Sequence, residues 1–588
     1  MVTSGVTIYA SNYVGLPRDS MKREYMHKDA ILFYREGATA TISVHAHRYD
    51  DYRYLKTNGK VDASYGDEPN MLLTGYLPLL YHPAAQRVVI IGLGAGMTVK
   101  AVAAFPVQQI DVAEIEPAVV DGARLFAGRT ANVLDDRRVR VIAADGRNFI
   151  QATPQQFDVI ISMPSNPWIA GVANLYTREF YGLARGKLRP GGAFAQWVQN
   201  YHMSPDDLRM ILRTFAESFP HVSLWAVDES DLILLGTLQD QGLNHRTMAR
   251  VFAERPAARE ELARLGLLDP IGLGAMYLMG NAGIRRFSHG AELNTDDLPR
   301  LEFSAPKQLE RSTTGLNVRL LKDYREDPPF RDVDLAGRPA GWRRYVMARA
   351  LKAVGASEGA LREVTQAVAE RPTAAEYRLL RAELQAEAGR SKEALADLKA
   401  ALALRLPDLS PLLDLGMKLE WAEAGELFRA LAVLQPHSPA VLDRLGQVLE
   451  AEGDRPGAIA RYRRALESKP EEGATRFRLG RALVRGGQFA EGLVELERAR
   501  TNGGESGEFY AALGDALVGL DRHAEAVDAY TKALHESVEN GGLRVKLAKA
   551  LAGAGRPREA ARRFREALAL DGENAEAAEG LRALGQRY

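Results

Sequence analysis

The stretch "VVIIGLGAGMT" (88–98) places Gly92, Gly94 and Gly96 between a hydrophobic run and a helical pattern. Glycines there permit a tight turn and a close approach of backbone to ligand. Glu114 follows Gly94 by twenty residues, at the end of the next strand pattern in "DVAEIEP". An acid so placed accepts hydrogen bonds from ribose hydroxyls. Glu116, one alternation on, competes for that role. A third strand pattern ends in "AADGRNF" (143–149). Asp145 there can meet an adenine amino group, cap the following helix, or do both, and Gly146 gives room. Glycine loop, acid and Asp-Gly at three successive strand ends suit an adenosine-containing ligand. The loop is one residue short of the spacing that pyrophosphate binding expects, which favours a nucleoside-sulfonium over NAD.

A fourth strand end, "DVIISMPSNPW" (158–168), offers Met163 and Asn166 where a catalytic loop would be expected to offer a carboxylate. A thioether takes no proton and an amide is no base at neutral pH. Asn166 can still orient an amine. Substitute acids are Asp62, Asp67, Glu68 and the pair Asp296–Asp297 in "LNTDD". Asn166 and Asp297 are the residues nominated for the reacting centre. Trp168 is expected to wall the pocket or to pack in the core. His45 and His47 alternate on a strand without further ligands nearby, so no metal site is expected.

These residues need strands to carry them. "RVVIIGLG", "QQIDVAEIE", "RVRVIAAD", "FDVIISM", "GGAFAQWV" and "DLILLGT" are candidate strands, with helical patterns between several of them. The alternation predicts a parallel, doubly wound α/β sheet. Upstream, "AILFYREGATATISVHAHRYDDYRYLKTNGKVDAS" has period-2 alternation and turn signals, as in a small antiparallel β unit. The expected division is an N-terminal segment and β unit (1–84), a Rossmann-like nucleoside-binding domain (85–240), a helical extension ending in the NTDD segment (241–312), a linker broken by Pro328 and Pro329 (313–338), and a repeat array (339–588).

The array declares itself by period. Gly446, Gly480 and Gly514 fall 34 residues apart, and Ala548 continues the series. The turn positions Gly453, Gly487, Asp521 and Gly555 keep the same spacing, and it reaches back to Gly355 and Gly389. Small residues (Ala458, Gly492, Ala526, Ala560) and large ones (Tyr462, Leu496, Tyr530, Phe564) follow at fixed offsets. The period resembles the tetratricopeptide repeat, an all-α solenoid of about seven units here. One unit, around "LLDLGMKLEWAEAGELFRALAVLQP", is about four residues short. The basic stretch "RPREAARRFREAL" lies inside a repeat and reads as a solvated face.

The bulk numbers exclude whole classes. Lys+Arg and Asp+Glu are both 76, which argues against a dominant nucleic-acid surface. There is no cysteine, so disulfides, thiolate metal sites and cysteine nucleophiles are excluded. No apolar run approaches the length of a membrane span. The first residues lack the compact apolar core of a signal peptide, and a cytoplasmic location is expected.

Residues of about 30–305 resemble the spermidine synthase (polyamine aminopropyltransferase) family, most of all its long bacterial branch. The resemblance rests on "LKTNGKVDAS", "VVIIGLGAGMT", "EIEPAVV", "DGRNF", "DVIISMPSNPWIAGVANLYTREFY", "GGAFAQWVQNYHMSP" and "LNTDDLPRLEF". It implies a small β unit on a methyltransferase-type Rossmann sheet. It also implies decarboxylated S-adenosylmethionine as co-substrate, with no permanently bound cofactor, and methylthioadenosine as product. By this resemblance Glu114 holds ribose and Asp145 the adenine. The family's glycine-loop Asp is Ala95 here, its two Asp after the fourth strand are Met163 and Asn166, and its N-terminal Gln falls nearest Asp62. Three readings follow: aminopropyl transfer to an amine acceptor, methyl transfer from intact S-adenosylmethionine, or a non-catalytic ligand-binding domain on a repeat scaffold. A protein partner in the repeat groove is expected, and a homodimer stays open.

Overall fold

A computed structural model describes residues 29–47, 50–240, 242–309, 311–404, 406, 408–500, 506–536 and 540–585. The chain forms two compact units, the first ending at Arg371 and the second beginning at Pro372.

The first unit opens with an antiparallel meander of β1 (Asp29–Glu36), β2 (Thr41–His47), β3 (Arg53–Thr57) and β4 (Lys60–Ser64). Period-2 alternation sorts β2, which buries Ile42, Val44 and Ala46. Asn58 and Gly59, both at positive φ, make the tight β3–β4 turn. The meander leads into helix α1 (Glu68–Tyr81), buried along nearly its whole length.

The main sheet contains β5 (Arg87–Ile91), β6 (Gln109–Glu114), β7 (Val139–Ala143), β8 (Phe157–Ser162), β9 (Leu188–Gln199), β10 (His221–Ala226), β11 (Asp231–Thr237) and β13 (Tyr277–Met279). Its order is β13-β10-β11-β9-β8-β5-β6-β7. Strands β9, β8, β5, β6 and β7 run parallel, and β11 enters antiparallel between β9 and β10. This is the Rossmann-like methyltransferase arrangement. Val88, Val89, Ile90, Val159, Ile160 and Ile161 are fully buried, which is why these runs lack alternation. The order reverses between β5 and β8. A crevice therefore opens beyond their carboxyl ends, where the four singled-out segments meet.

The stretch 313–338, expected as a linker, is more structured than its prolines suggest. It holds a helix over Thr314–Lys322 and strand β14 (Phe330–Arg331), which pairs with β12 (Leu243–Asn244). His245 and Asp269 form a buried pair at 3.0 Å beside it, and the backbone N–H of Asp334 donates to His245 Nδ1. The first repeat hairpin (Trp342–Ala353 and Ser357–Glu370) belongs to this unit. A Cβ on Gly266 would lie 2.7 Å from Ala353 Cβ, so the helix backbone packs close.

The second unit is a run of helical hairpins from Ala375 to Leu570, followed by the helix Ala575–Ala583. Gly453, Gly487, Asp521 and Gly555 sit at positive φ 34 residues apart, and Gly389, on the far side of the shortened unit, does too. A Cβ on Gly446 would lie 2.4 Å from the Tyr462 ring, and one on Gly514 2.6 Å from the Tyr530 ring. Small and large residues at fixed offsets are thus the close approach within each hairpin. The shortened unit loses its residues from its first helix, Ser410–Gly416. Glu559 and Glu566 pair with Arg556, Arg562 and Arg563, so three of the five arginines of the basic stretch are ion-paired within it. Because repeats contact mainly their neighbours, a fragment of residues 372–588 is expected to give a helical far-ultraviolet dichroism spectrum and to melt cooperatively. A random-coil spectrum would refute its independence.

Candidate functional site

A cavity of about 570 Å³ lies at the carboxyl ends of β5–β8, between the sheet and the β unit. Gly92, Leu93 and Gly94 line it from the first strand end, Glu114 from the second, Asp145 and Gly146 from the third, and Met163 and Ser165 from the fourth. Gly96 does not line it; at φ 85° it starts the next helix, Met97–Ala103. Ala95 is fully buried and also off the cavity wall.

Glu114 and Glu116 divide their tasks. Glu114 accepts from the backbone N–H of Leu93 at 2.9 Å and of Glu116 at 3.0 Å. The acid is thereby fixed against the glycine loop, and burial pushes its carboxyl above the ordinary range. Glu116 also reaches the cavity wall, but its oxygens accept from Thr39 N–H (2.7 Å), Thr39 Oγ1 (2.9 Å), Ala40 N–H (3.2 Å) and Ala118 N–H (3.1 Å). It caps a helix and clamps the β1–β2 turn. Glu114 therefore has the freer carboxylate.

Asp145 caps the helix Gly146–Ala152 through Asn148 N–H at 2.8 Å and also lines the cavity, so the cap does not withdraw it from the wall. The room at Gly146 serves the fold. A Cβ there would sit 2.3 Å from Ile91 Cγ2, so glycine lets this helix approach β5.

The fourth strand end corrects two expectations. Asn166 is fully buried and off the cavity wall. Its amide donates to Gln199 Oε1 and, at 2.9 Å, to the Tyr201 hydroxyl. It holds Tyr201, which does line the cavity, and cannot itself orient an amine there. The loop's polar contribution is Ser165, whose hydroxyl donates to Asp62 Oδ1 at 2.7 Å across the cavity. Asp297 is exposed and off the wall; its neighbour Asp296 pairs with Arg147, which lines the cavity. Trp168 packs against Tyr201 and His202 as part of the core. His45 stacks on Tyr54, and among the described residues no three His, Asp or Glu side chains are grouped to hold a metal.

The cavity has an acidic end. Asp62 and Asp67, two of the candidate substitute acids, line it together with Asp231, Asn70, Lys60, Trp197 and Tyr201. Glu68 is off the wall and pairs with Arg129. Asp62 is neutralised by Lys60 at 2.6 Å. Asp67 accepts from Ser64 at 2.7 Å, and burial raises its carboxyl despite that bond. Asp231 was not singled out from the sequence, although its strand was. It accepts from Trp197 Nε1 at 2.7 Å and Asn70 Nδ2 at 3.1 Å. Burial, then the nearby Asp228, push its carboxyl up to about 7. Chemically, one end offers backbone and carboxylate acceptors suited to a nucleoside, and the other offers carboxylates suited to a cation.

Residues 72–228 match the spermine/spermidine synthase domain, and tetratricopeptide repeats match at 345–409, 444–499, 477–540 and 545–586. The polyamine aminopropyltransferase of Clostridium perfringens is 35% identical over 131 residues, 22% of this chain and 44% of that protein. The spermidine synthase of Dictyostelium discoideum is 28% identical over 170 residues, 29% of this chain and 60% of that protein. The chain thus spans about half the length of these curated relatives. Among solved structures, the spermidine synthase from Thermotoga maritima aligns at 19% identity and TM-score 0.32, over 49% of this chain and 88% of that one. A probable spermidine synthase from Corynebacterium glutamicum aligns at 20% and 0.35, over 45% and 97%. Among the described residues, no helix is long and apolar enough to cross a membrane.

Proposed function

We propose that this spermine/spermidine synthase domain transfers an aminopropyl group from decarboxylated S-adenosylmethionine to an amine, with the tetratricopeptide repeats holding a protein partner. The observation that carries the reading is one cavity with two chemically distinct ends. The glycine loop, Glu114 and Asp145 suit the adenosine of the donor. Asp67 and Asp231, beside the Asp62 that Lys60 already pairs, suit the ammonium groups of donor tail and acceptor. Intact S-adenosylmethionine would bring a carboxylate to that acidic end, where like charges repel, so methyl transfer is disfavoured.

The test is calorimetric titration with methylthioadenosine, coupled to an assay of its release from decarboxylated S-adenosylmethionine and putrescine. Binding and amine-dependent release are the expected results. Glu114→Ala is expected to weaken methylthioadenosine binding about 10- to 100-fold, matching the roughly 1.5–3 kcal/mol of hydrogen bonds to a charged group. Absence of binding by the parent protein, or unchanged affinity in the variant, would overturn the assignment of the nucleoside end.

A further inference from the structure

We infer that Asp231 is the proton acceptor of this site, standing on a different strand from the acids that the fourth strand end lacks, with Trp197 and Asn70 as its positioning residues. The inference rests on the aminopropyl-transfer reading above. In that reaction the acceptor nitrogen bonds to the carbon beside the sulfonium. The C–S bond breaks, its electron pair passes to sulfur, and methylthioadenosine leaves. The acceptor ammonium must shed one proton to free the lone pair that attacks, and the product nitrogen then carries the positive charge as a secondary ammonium, so the cavity needs a carboxylate that is charged but not already paired to take that one proton.

Asp62 fails that requirement, because Lys60 and Ser165 both hold its Oδ1. Asp67 also lacks a cationic partner among the described residues but is held by one donor only, the Ser64 hydroxyl on Oδ2, whereas Asp231 is held by two. Asp231 has no cationic partner within ion-pair reach among the described residues, and both its protein donors use Oδ1, so no protein donor reaches Oδ2. The strand register explains the geometry. Trp197 stands opposite Ile233 across the β9–β11 ladder, so Asp231, two residues away, shares its face. Asn70 arrives from α1, across the same end. The groups that act electrostatically on Asp231 are Asp228, Asp67 and Lys60, and Asp231 in turn acts on Tyr201. Burial raises the carboxyl toward neutrality, where a general base works best.

The experiment compares the full-length chain with Asp231→Asn, Asp231→Glu and Trp197→Phe. Asp231→Asn is expected to lose at least 100-fold in kcat/KM for putrescine-dependent release while binding methylthioadenosine within threefold of the parent. Asp231→Glu is expected to recover part of the rate. Trp197→Phe removes a donor to the charged carboxylate, so the acid limb of its pH–rate profile should move to higher pH; a merely structural tryptophan would leave that limb in place. Asp231→Asn turning over within threefold of the parent, or an unmoved limb in Trp197→Phe, overturns the assignment and leaves aminopropyl transfer standing. A parent protein that binds methylthioadenosine but releases none from the donor overturns both.

Discussion

Gly92→Ala is expected to destabilise the first unit by about 2–5 kcal/mol, whereas Gly94→Ala two residues on should cost about 1–2 kcal/mol. Both glycines have positive φ, 88° and 53°, and a left-handed residue with a Cβ costs roughly 1–2 kcal/mol. They differ in what the new methyl would meet. At Gly92 it would sit 2.3 Å from the carbonyl oxygen of Met163; at Gly94 its nearest neighbours are Ala63 Cβ at 3.6 Å and Met71 Cε at 3.8 Å. The Met163 carbonyl belongs to backbone already tied down, because Met163 N–H donates to Ile91 O at 2.8 Å and Gly92 N–H to Ala113 O at 2.9 Å. Displacing it would pull apart three strand ends, adding about 1–3 kcal/mol of overpacking strain. Urea denaturation followed by tryptophan fluorescence measures the difference, since Trp168, Trp197 and Trp225 all lie in or beside the main sheet. Equal losses in the two variants would show that the carbonyl yields and that only φ matters.

The nucleoside end was legible in the sequence for a local reason. Each of its residues lies at a strand's carboxyl end in a parallel sheet, so hydrophobic run, turn signal and polar residue stand side by side along the chain. Glu114 and Asp145 could be picked out that way, and their backbone partners, Leu93 and Asn148, are near neighbours of the same motifs. The acidic end was only half legible. Asp62 and Asp67, named among the candidate acids, are on its wall, but Asp231 reaches it because β11 inserts antiparallel beside β9, a pairing that no local pattern encodes. An Asp opening "DLILLGT" reads along the chain as a polar strand edge. Its neighbours Trp197 and Asn70 come from segments 34 and 161 residues away. The loop after β8 has no periodicity, so nothing distinguished the inward Ser165 from the buried Asn166. Asp297 misled for the opposite reason: adjacent acids in a loop suggest a site, yet here Asp296 serves Arg147 and Asp297 faces solvent.

That geometry sets the outcome of placing an acid at Asn166. Placed on the cavity wall, an Asp there would add charge where the reaction develops it. In its actual position, Asn166→Asp is expected to cost about 3–5 kcal/mol at pH 8, the range for an uncompensated buried charge, with no gain in aminopropyl transfer. The side chain is fully buried, and its amide donates to Gln199 Oε1 and Tyr201. A carboxylate would face the Gln199 oxygen with no proton to offer. Gln199 cannot turn its own amide without giving up the bond from Nε2 to Tyr201 O at 3.2 Å. Burial must then raise the new carboxyl's pKa in the folded state above its unfolded value of about 4. The folded protein would hold that proton more tightly than the unfolded chain. The penalty should therefore be small at pH 4 and grow as pH rises from the unfolded value through the raised folded one. Denaturation midpoints of the variant and its parent at pH 5 and pH 8 measure this, with the larger gap expected at pH 8. A pH-independent gap, or a variant as stable as its parent that releases methylthioadenosine faster, would place residue 166 in the cavity and return the proton-accepting role to the fourth strand end.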